Sequence, residues 1–257
     1  SLYNNHYYLM SLLAMLSMFL PLHRTFSLDA LRSPRIAGST APSWNLWLLR
    51  FQLGIVYFYG GVAKINSDWI SGQPMRMWLE RKAYYPGIGR FFTEEWAVQI
   101  FVWGGLLLDL FAVPLLMWRR TRGWTFGVLI LFHLMNATLF QIGVFPWLMM
   151  AAATIFFRPD WPRRLCRFAK PATPDEPPPP IPWNWRAKLA ATLLTGYVLL
   201  QVLIPLRHHL YPGPASWTEE GHFFSWRMML RDKRGGVRVY ARNPATGREG
   251  IADLRRY

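Results

Sequence analysis

Six apolar runs of near-spanning length, at Tyr7–Leu22, Leu46–Val62, Ala97–Met117, Trp124–Phe140, Gly143–Phe157 and Ala187–Leu206, leave this chain few folds to choose from. A bilayer offers about 30 Å of hydrocarbon, and segments of this length and hydropathy fit it as helices with every backbone polar group paired internally. Composition agrees: 52% of residues are hydrophobic and 16% aromatic, against 17% charged, which is more apolar and richer in tryptophan than an ordinary soluble domain. The sequence predicts an all-α polytopic membrane protein with about six transmembrane helices.

Organisation follows from where the apolar pattern breaks. The block Trp124–Phe157 has 34 residues, about 51 Å as one straight helix, too long for a single crossing. Two helices meeting near Gln141, Ile142 and Gly143 fit better, with Pro146 in the first turn of the second. Residues 171–182 form a proline-rich connector that cannot hold a helix. Beyond Leu206 the composition changes, and residues 235–250 alternate, turn and return like a strand pair. Residues 1–206 are thus expected to be the helical membrane domain and 207–257 a small extracytoplasmic β-structured segment.

The formal net charge of +15 raises the question of nucleic acid, but the basic residues are scattered between apolar segments and build no reading helix, zinc finger or RNA-binding sheet. Anionic lipid headgroups are the better counter-charge. A single cysteine, Cys166, allows no internal disulfide and no cysteine-based metal cluster. The chain opens at Ser1 and enters apolar sequence within a few residues, without a charged leader region or a small-residue cleavage site, so a trimmed product or fragment lacking upstream spans is an expectation here.

The positive-inside bias sets the orientation. Arg119, Arg120 and Arg122 share one short loop, and Arg158, Arg163, Arg164, Arg167 and Lys170 flank the end of the proposed hairpin. Both groups fall on one side only if 124–157 crosses twice, and that side is cytoplasmic. Counting backward, the loop 23–44 is also cytoplasmic, whereas Asn4, Asn5, His6, Lys64, the hairpin tip and everything after Leu206 share the opposite face.

Lys64 is the first residue to suspect, because it ends an apolar helix-like run and is followed by a polar turn, Asn66-Ser67-Asp68. An ammonium there is costly unless it snorkels or has work to do. A lysine kept from bulk water loses part of its preference for the charged form, which suits it to general-base chemistry near neutral pH. A lone lysine at a helix end is nevertheless most often an interfacial anchor. His133 and Asn136 fall three residues apart on one helix face, where bundle hydrogen bonding or ligand contact are both open. His208 and His209 have no third ligand at credible spacing, so no metal site is expected. Met228 and Met229, next to Trp226, suit either ordinary packing or an apolar slot for a flat ring system. Hydrolase, phosphate-loop and zinc-protease signatures are all missing.

An ordered series of short motifs runs along most of the chain: Tyr3-Asn4-Asn5-His6-Tyr7-Tyr8-Leu9, Leu49-Arg50-Phe51-Gln52 through Val56-Tyr57-Phe58, Gly61-Val62-Ala63-Lys64, Asp68-Trp69, Gly104 to Leu110, Phe132-His133-Leu134-Met135-Asn136, Leu139 to Phe145, and Ser225-Trp226-Arg227-Met228-Met229. The series resembles the vitamin K-dependent γ-glutamyl carboxylases and their bacterial relatives with the horizontally transferred transmembrane (HTTM) domain. The resemblance implies an enzyme that oxidises a reduced naphthoquinone, reduced vitamin K, with O₂ to its epoxide. It couples this to addition of CO₂ to glutamate side chains of a peptide or protein substrate.

Residue by residue, the resemblance makes Lys64 the base that deprotonates the hydroquinone and gives His6, with the neighbouring amide of Asn5, a place beside developing negative charge. His133, Asn136, Trp226, Met228 and Met229 are the quinone-contact candidates, and no metal is implied. Two departures bear on the substrate. The cysteine pair that staples animal members cannot form, and their large lumenal propeptide-binding region is nearly absent here. Within this frame the alternatives are a relative that only epoxidises quinone or modifies another peptide, and a non-enzymatic membrane protein of transport or peptide maturation. The expected location is a bacterial inner membrane, or the endoplasmic reticulum in a eukaryote, with the active site on the extracytoplasmic face.

Overall fold

The structure is a computed structural model that describes residues 4–24, 27–33, 35–36, 41–140, 142–159, 161–162, 182–228, 239–242, 244, 246–247 and 249–251. Cys166 and all of the proline-rich connector except Pro182 lie outside the described residues.

Each of the six apolar runs is helical. The first, α1, spans Asn5–Phe19 and is capped by the Asn4 side chain, which accepts from the His6 N–H. A short α2, Leu28–Arg32, precedes α3, Ser43–Val62. Two short helices, α4 (Ser67–Ile70) and α5 (Gln73–Glu80), follow, the first capped by Asn66. The long α6 runs Glu95–Met117, and α7 runs Arg122–Met135 before widening into a π-helical turn, Asn136–Phe140. The chain then turns where the sequence predicts: Gly143 takes φ +65°, a left-handed conformation natural to glycine, and Pro146 sits in the first turn of α8, Phe145–Ala153. The last long helix, α9, is Trp185–Leu203, followed by a 3₁₀ segment to Leu210 and a single turn, α10, Ala215–Thr218. The expected β segment is a small antiparallel pair, β1 (Tyr240–Arg242) and β2 (Glu249–Ile251), with Ala241 opposite Gly250.

Among the described residues three helices, Glu95–Met117, Arg122–Phe140 and Trp185–Leu210, are long and apolar enough to cross a membrane, against the six expected. The other three fall short for physical reasons. At about 1.5 Å per residue, the 15 residues of α1 reach about 22 Å, and the 12 of Phe145–Phe156 about 18 Å. The 20-residue α3 has the length but carries Asn45, Arg50 and Gln52.

The tightest helix contact joins α3 to α6, and two glycines make it possible. A Cβ at Gly61 would stand 2.8 Å from the Leu110 side chain and 3.0 Å from the Leu110 backbone nitrogen, and one at Gly60 would stand 3.3 Å from Asp109 Oδ2. Small residues let helix backbones approach where lipid supplies no hydrophobic drive for association. The contact sets the tip of α3 against the middle of α6: Asp109 lies 14 residues, about 21 Å, from the start of α6. The chain leaving α3 therefore turns back inside the fold, and α4 and α5 pack on the first half of α6 around Trp69, Met75, Leu79, Val98 and Val102. The larger core joins α1, α3, α6, α7 and α8 through Leu9, Leu53, Val56, Ala112, Leu129 and Met149. At the far end of the bundle the Arg122 guanidinium donates to the last carbonyls of α6, Leu116 O at 2.8 Å and Met117 O at 3.1 Å.

Candidate active site

Lys64 leaves the end of α3 and folds inward instead of snorkelling. Its Nζ donates to Gly60 O at 3.1 Å and to Asp109 Oδ2 at 2.5 Å, and lies 5.2 Å from the centre of the Trp69 ring. Both charged side chains are about one-tenth exposed, at 9% and 10%. A charge-assisted hydrogen bond of this length ties the ammonium to the carboxylate, and the Trp69 ring, held in place by its indole N–H donating to Val102 O at 3.1 Å, adds a cation–π contact. The interfacial-anchor reading of Lys64 therefore fails on geometry: the amine is buried at the depth of the centre of α6.

A second buried polar pair stands on the same cavity. Tyr57 from α3 and His133 from α7 share a hydrogen bond of 3.0 Å between the hydroxyl and Nε2. The other ring nitrogen, His133 Nδ1, is buried and has no hydrogen-bond partner among the described residues. Such a group carries the desolvation cost of an unpaired polar atom unless a ligand or water meets it.

The cavity that joins these pairs has a volume of about 660 Å³. Its walls include Lys64, Asp109, Tyr57 and His133, together with His6 and Asn5 from the start of α1, Asn136 from the π-helical turn, and Arg227 and Met228 from the segment after α10. Asn5 is fixed there by donating to Arg227 O at 3.3 Å, which ties the first helix to the chain that follows the last span. Trp69, Trp78, Phe132 and Phe140 give the walls flat apolar faces.

Seven of the eight sequence-derived candidates are described, and six of these meet in this one cavity: Lys64, His6, Asn5, His133, Asn136 and Met228. Trp226 does not line it. Its ring is fully buried in the core and stacks on Tyr8, centroids 4.9 Å apart. Backbone geometry explains the split, since Trp226 adopts φ +56° and neighbouring residues leave such a bend in different directions. Met229 lies outside the described residues. His133 and Asn136 share a face of the cavity as their spacing predicts, but the histidine bonds Tyr57. Among the described residues no three His, Cys, Asp or Glu side chains stand together as a metal site would need.

Two residues of the site, Asp109 and Tyr57, are given no role by the sequence alone. For Asp109 the signal is present: it is the one carboxylate within the apolar run Ala97–Met117, and a charge at that depth calls for a partner. Tyr57 stands in the motif Val56-Tyr57-Phe58, but one tyrosine on an apolar face points to no role by itself.

Comparison with known proteins decides the family. The family model described as HTTM domain matches residues 1–161, well over half of the chain. The chain belongs to the HTTM family. A second model, described as the lumenal domain of vitamin K-dependent gamma-carboxylase, matches residues 186–257, beginning inside α9. Part of the lumenal region, expected to be nearly absent, is therefore recognisable in this HTTM protein. The two matches together make it a gamma-carboxylase-related integral membrane protein. No solved structure matches the chain.

Proposed function

We propose that this HTTM protein is a vitamin K-dependent γ-carboxylase-like enzyme, which oxidises a reduced naphthoquinone with O₂ to its epoxide and uses that reaction to add CO₂ to glutamate side chains. The observation that carries the reading is the buried Lys64–Asp109 pair on a cavity shared with His6, Asn5 and His133. The residues present fit a flat dihydroxy-aromatic head: the walls offer tryptophan and phenylalanine faces, and the orphaned His133 Nδ1 offers a hydrogen-bonding atom for a ring oxygen. When bound, the reduced naphthoquinone supplies the electrons taken up by O₂ and the driving force for removing a glutamate proton.

The roles of the chain's own groups follow from proton bookkeeping. As an ammonium, Lys64 Nζ has no lone pair to offer. Passing its proton along the 2.5 Å contact to Asp109 Oδ2 leaves a neutral amine, which can then accept the proton of a phenolic O–H. The pair gains one proton in total and the phenol loses one, so the new positive and negative charges arise side by side and the cavity stays neutral overall. Tyr57 holds the His133 ring in place through Nε2 and leaves Nδ1 for ligand. His6, carried on the cavity wall by the first turn of α1, is the donor assigned to charge that develops later, and Asn5 orients that end of the helix against Arg227.

Reduced vitamin K, O₂, labelled CO₂ and a Glu-containing peptide supplied to the purified protein should yield both quinone epoxide and γ-carboxyglutamate. Epoxide without labelled peptide would limit the reading to a quinone epoxidase, and neither product would reject it. The family match to a lumenal domain also supports an extracytoplasmic site. In a Cys166→Ser background, cysteines at Ser67 and Thr121 should label with an impermeant maleimide from opposite sides; labelling from one side rejects this sidedness.

A further inference from the structure

We propose that a second cavity, lined by α3 and α6, is a site for one anionic glycerophospholipid, with Arg50 and Arg122 holding its phosphate and the apolar wall of the two helices holding the first part of an acyl chain. The proposal does not rest on the enzymatic reading.

This cavity has a volume of about 350 Å³. Its lining runs from Trp47 to Phe58 on α3 and from Asp109 to Met117 on α6, with Phe156 from the 3₁₀ turn after α8. Arg50 and Asp109 are the charged residues in an otherwise apolar wall, and the charge of Asp109 is already met by Lys64. The Arg50 guanidinium lies 5.8 Å from the centres of both the Trp47 and the Phe156 rings. It donates to the carbonyls that end the 3₁₀ turn, Ile155 O at 3.0 Å and Phe156 O and Phe157 O at 3.4 Å. Arg122, which caps α6 through Leu116 O and Met117 O, is near enough for its charge to act on Arg50. These bonds use Nε and Nη2 of each guanidinium and leave both Nη1 groups for another acceptor. Arg119 and Arg120 stand exposed in the turn just before Arg122. No ion pair among the described residues joins any of these four arginines to a carboxylate.

Carbonyl caps accept hydrogen bonds but supply no negative charge. The guanidiniums repel one another, more strongly in the lower dielectric of a membrane surface, so the cluster calls for an anion with several acceptor oxygens. Phosphate matches the guanidinium fork and can accept from two arginines at once. Two observations make that phosphate a lipid's. The level fits: Trp44, Trp47, Trp118 and Trp124 are all exposed at the ends of α3, α6 and α7 that carry these arginines, which is the pattern of an aromatic belt at headgroup depth. The wall fits as well: Arg50 to Phe58 covers eight residues, about 12 Å of helix, and Trp47 and Phe58 are 56% and 50% exposed while lining the cavity. A free phosphate would satisfy the arginines and leave that wall uncovered, whereas a lipid with its phosphate at Arg50 lays a chain along it. Phosphatidylcholine is a poorer occupant, because it brings its own cation into a cluster of cations. The wall offers a chain little that lipid does not, so selectivity should come from the charge of the headgroup.

The test uses the whole protein in a non-ionic detergent and follows its unfolding midpoint and native mass spectrum as phosphatidylglycerol, phosphatidylcholine with the same chains, or inorganic phosphate is added. Phosphatidylglycerol should raise the midpoint saturably, by mass action on the folded state, and leave one lipid bound. Phosphatidylcholine should need about ten-fold more lipid for the same rise, and inorganic phosphate should give none at equal concentration. Arg50→Gln and, separately, Arg122→Gln should each weaken phosphatidylglycerol about ten-fold or more, the range for losing one charge-assisted hydrogen bond. Both arginines also cap helix ends, so each variant is compared with and without lipid, not with wild type. Arg119→Gln/Arg120→Gln together alter only exposed side chains and should cost about ten-fold in the same response. Gly54 lines the cavity and an added Cβ there makes only ordinary contact with Val113 at 3.6 Å, so Gly54→Leu fills the wall with every arginine in place and should weaken the lipid too. Equal shifts from the two lipids would overturn a charge-selective site, and an equal shift from inorganic phosphate would overturn the lipid as occupant. An undiminished response in the arginine variants, or in Gly54→Leu, would reject this placement. None of these readings requires turnover, so they hold whether or not the protein makes epoxide.

Discussion

The two long faces of α6 are built on opposite principles. Toward α3 it is sealed: glycines at 60 and 61 bring the backbones so close that a single Cβ would meet Leu110 at 2.8 Å, and the one charged pair buried in this contact lies inside the seal. Along Ile100 and Gly104 it is open: a Cβ at Gly104 meets nothing within 4 Å, and Ile100, like Val128 and Leu131 of α7, is exposed while lining the cavity. Close packing is placed where charge must be kept from lipid and water. Glycine serves both ends, as contact on one face and as gap on the other.

The largest expected consequence of breaking the sealed side is loss of fold. Asp109→Ala leaves a buried ammonium without its counter-charge, and removing one partner of such a pair costs about 3–5 kcal/mol. Thermal unfolding in detergent should show it, and Lys64→Ala/Asp109→Ala together should be less destabilised than Asp109→Ala alone. A double variant no more stable than Asp109→Ala would mean that the ion pair does not govern the seal.

Next in size is the polar wall that α1 gives the cavity. His6→Ala should lose about 10²–10³-fold in turnover, the range for deleting one donor to developing charge, with little change in quinone or peptide binding. Asn5→Ala should lose less, since it holds the helix start through Arg227 O. Near-normal turnover of His6→Ala would return the histidine to ordinary packing at a helix end.

Gly61→Val tests the seal without touching charge. Its side chain must displace Leu110, an overpacking cost of about 1–3 kcal/mol, whereas Gly104→Val on the open face meets no neighbour and should leave the unfolding midpoint nearly unmoved. Equal destabilisation of the two would erase the distinction between the faces.

The smallest contrast separates neighbours in sequence. Met228 lines the cavity and Trp226 does not, so Met228→Ala should raise the KM for hydroquinone while Trp226→Phe should leave it unchanged and act on stability alone. The reverse pattern would put Trp226, and not Met228, against the ligand.

These contrasts mark what the sequence makes legible. Hydropathy and turn chemistry identify all six helices, the turn before Pro146 and the C-terminal strand pair, because each is a local property of a dozen residues or so. Crossing length is not local. The helix α3 reads as a span from Leu46 to Val62, yet its tip docks on the middle of α6, a consequence of Gly61 meeting Leu110 that no periodicity contains. The same docking hides the partner of Lys64: a lysine at a helix end reads as an anchor until the fold sets Asp109 beside it. His6, Asn5, His133 and Met228 were legible as candidates through ordered motifs, but that they meet in one cavity depends on α1 touching the chain beyond α9. Trp226 shows the limit from the other side, since its motif neighbours reach the cavity and it does not.

The central claim is that Lys64, paired with Asp109, accepts the proton that starts quinone oxidation. Epoxide formation by Lys64→Ala, assayed in vesicles beside wild type at equal membrane content and with increasing concentrations of a small amine, tests it most directly. The account predicts no epoxide from the variant alone and partial recovery as the amine supplies the missing base. Epoxide at the wild-type rate without added amine would contradict it.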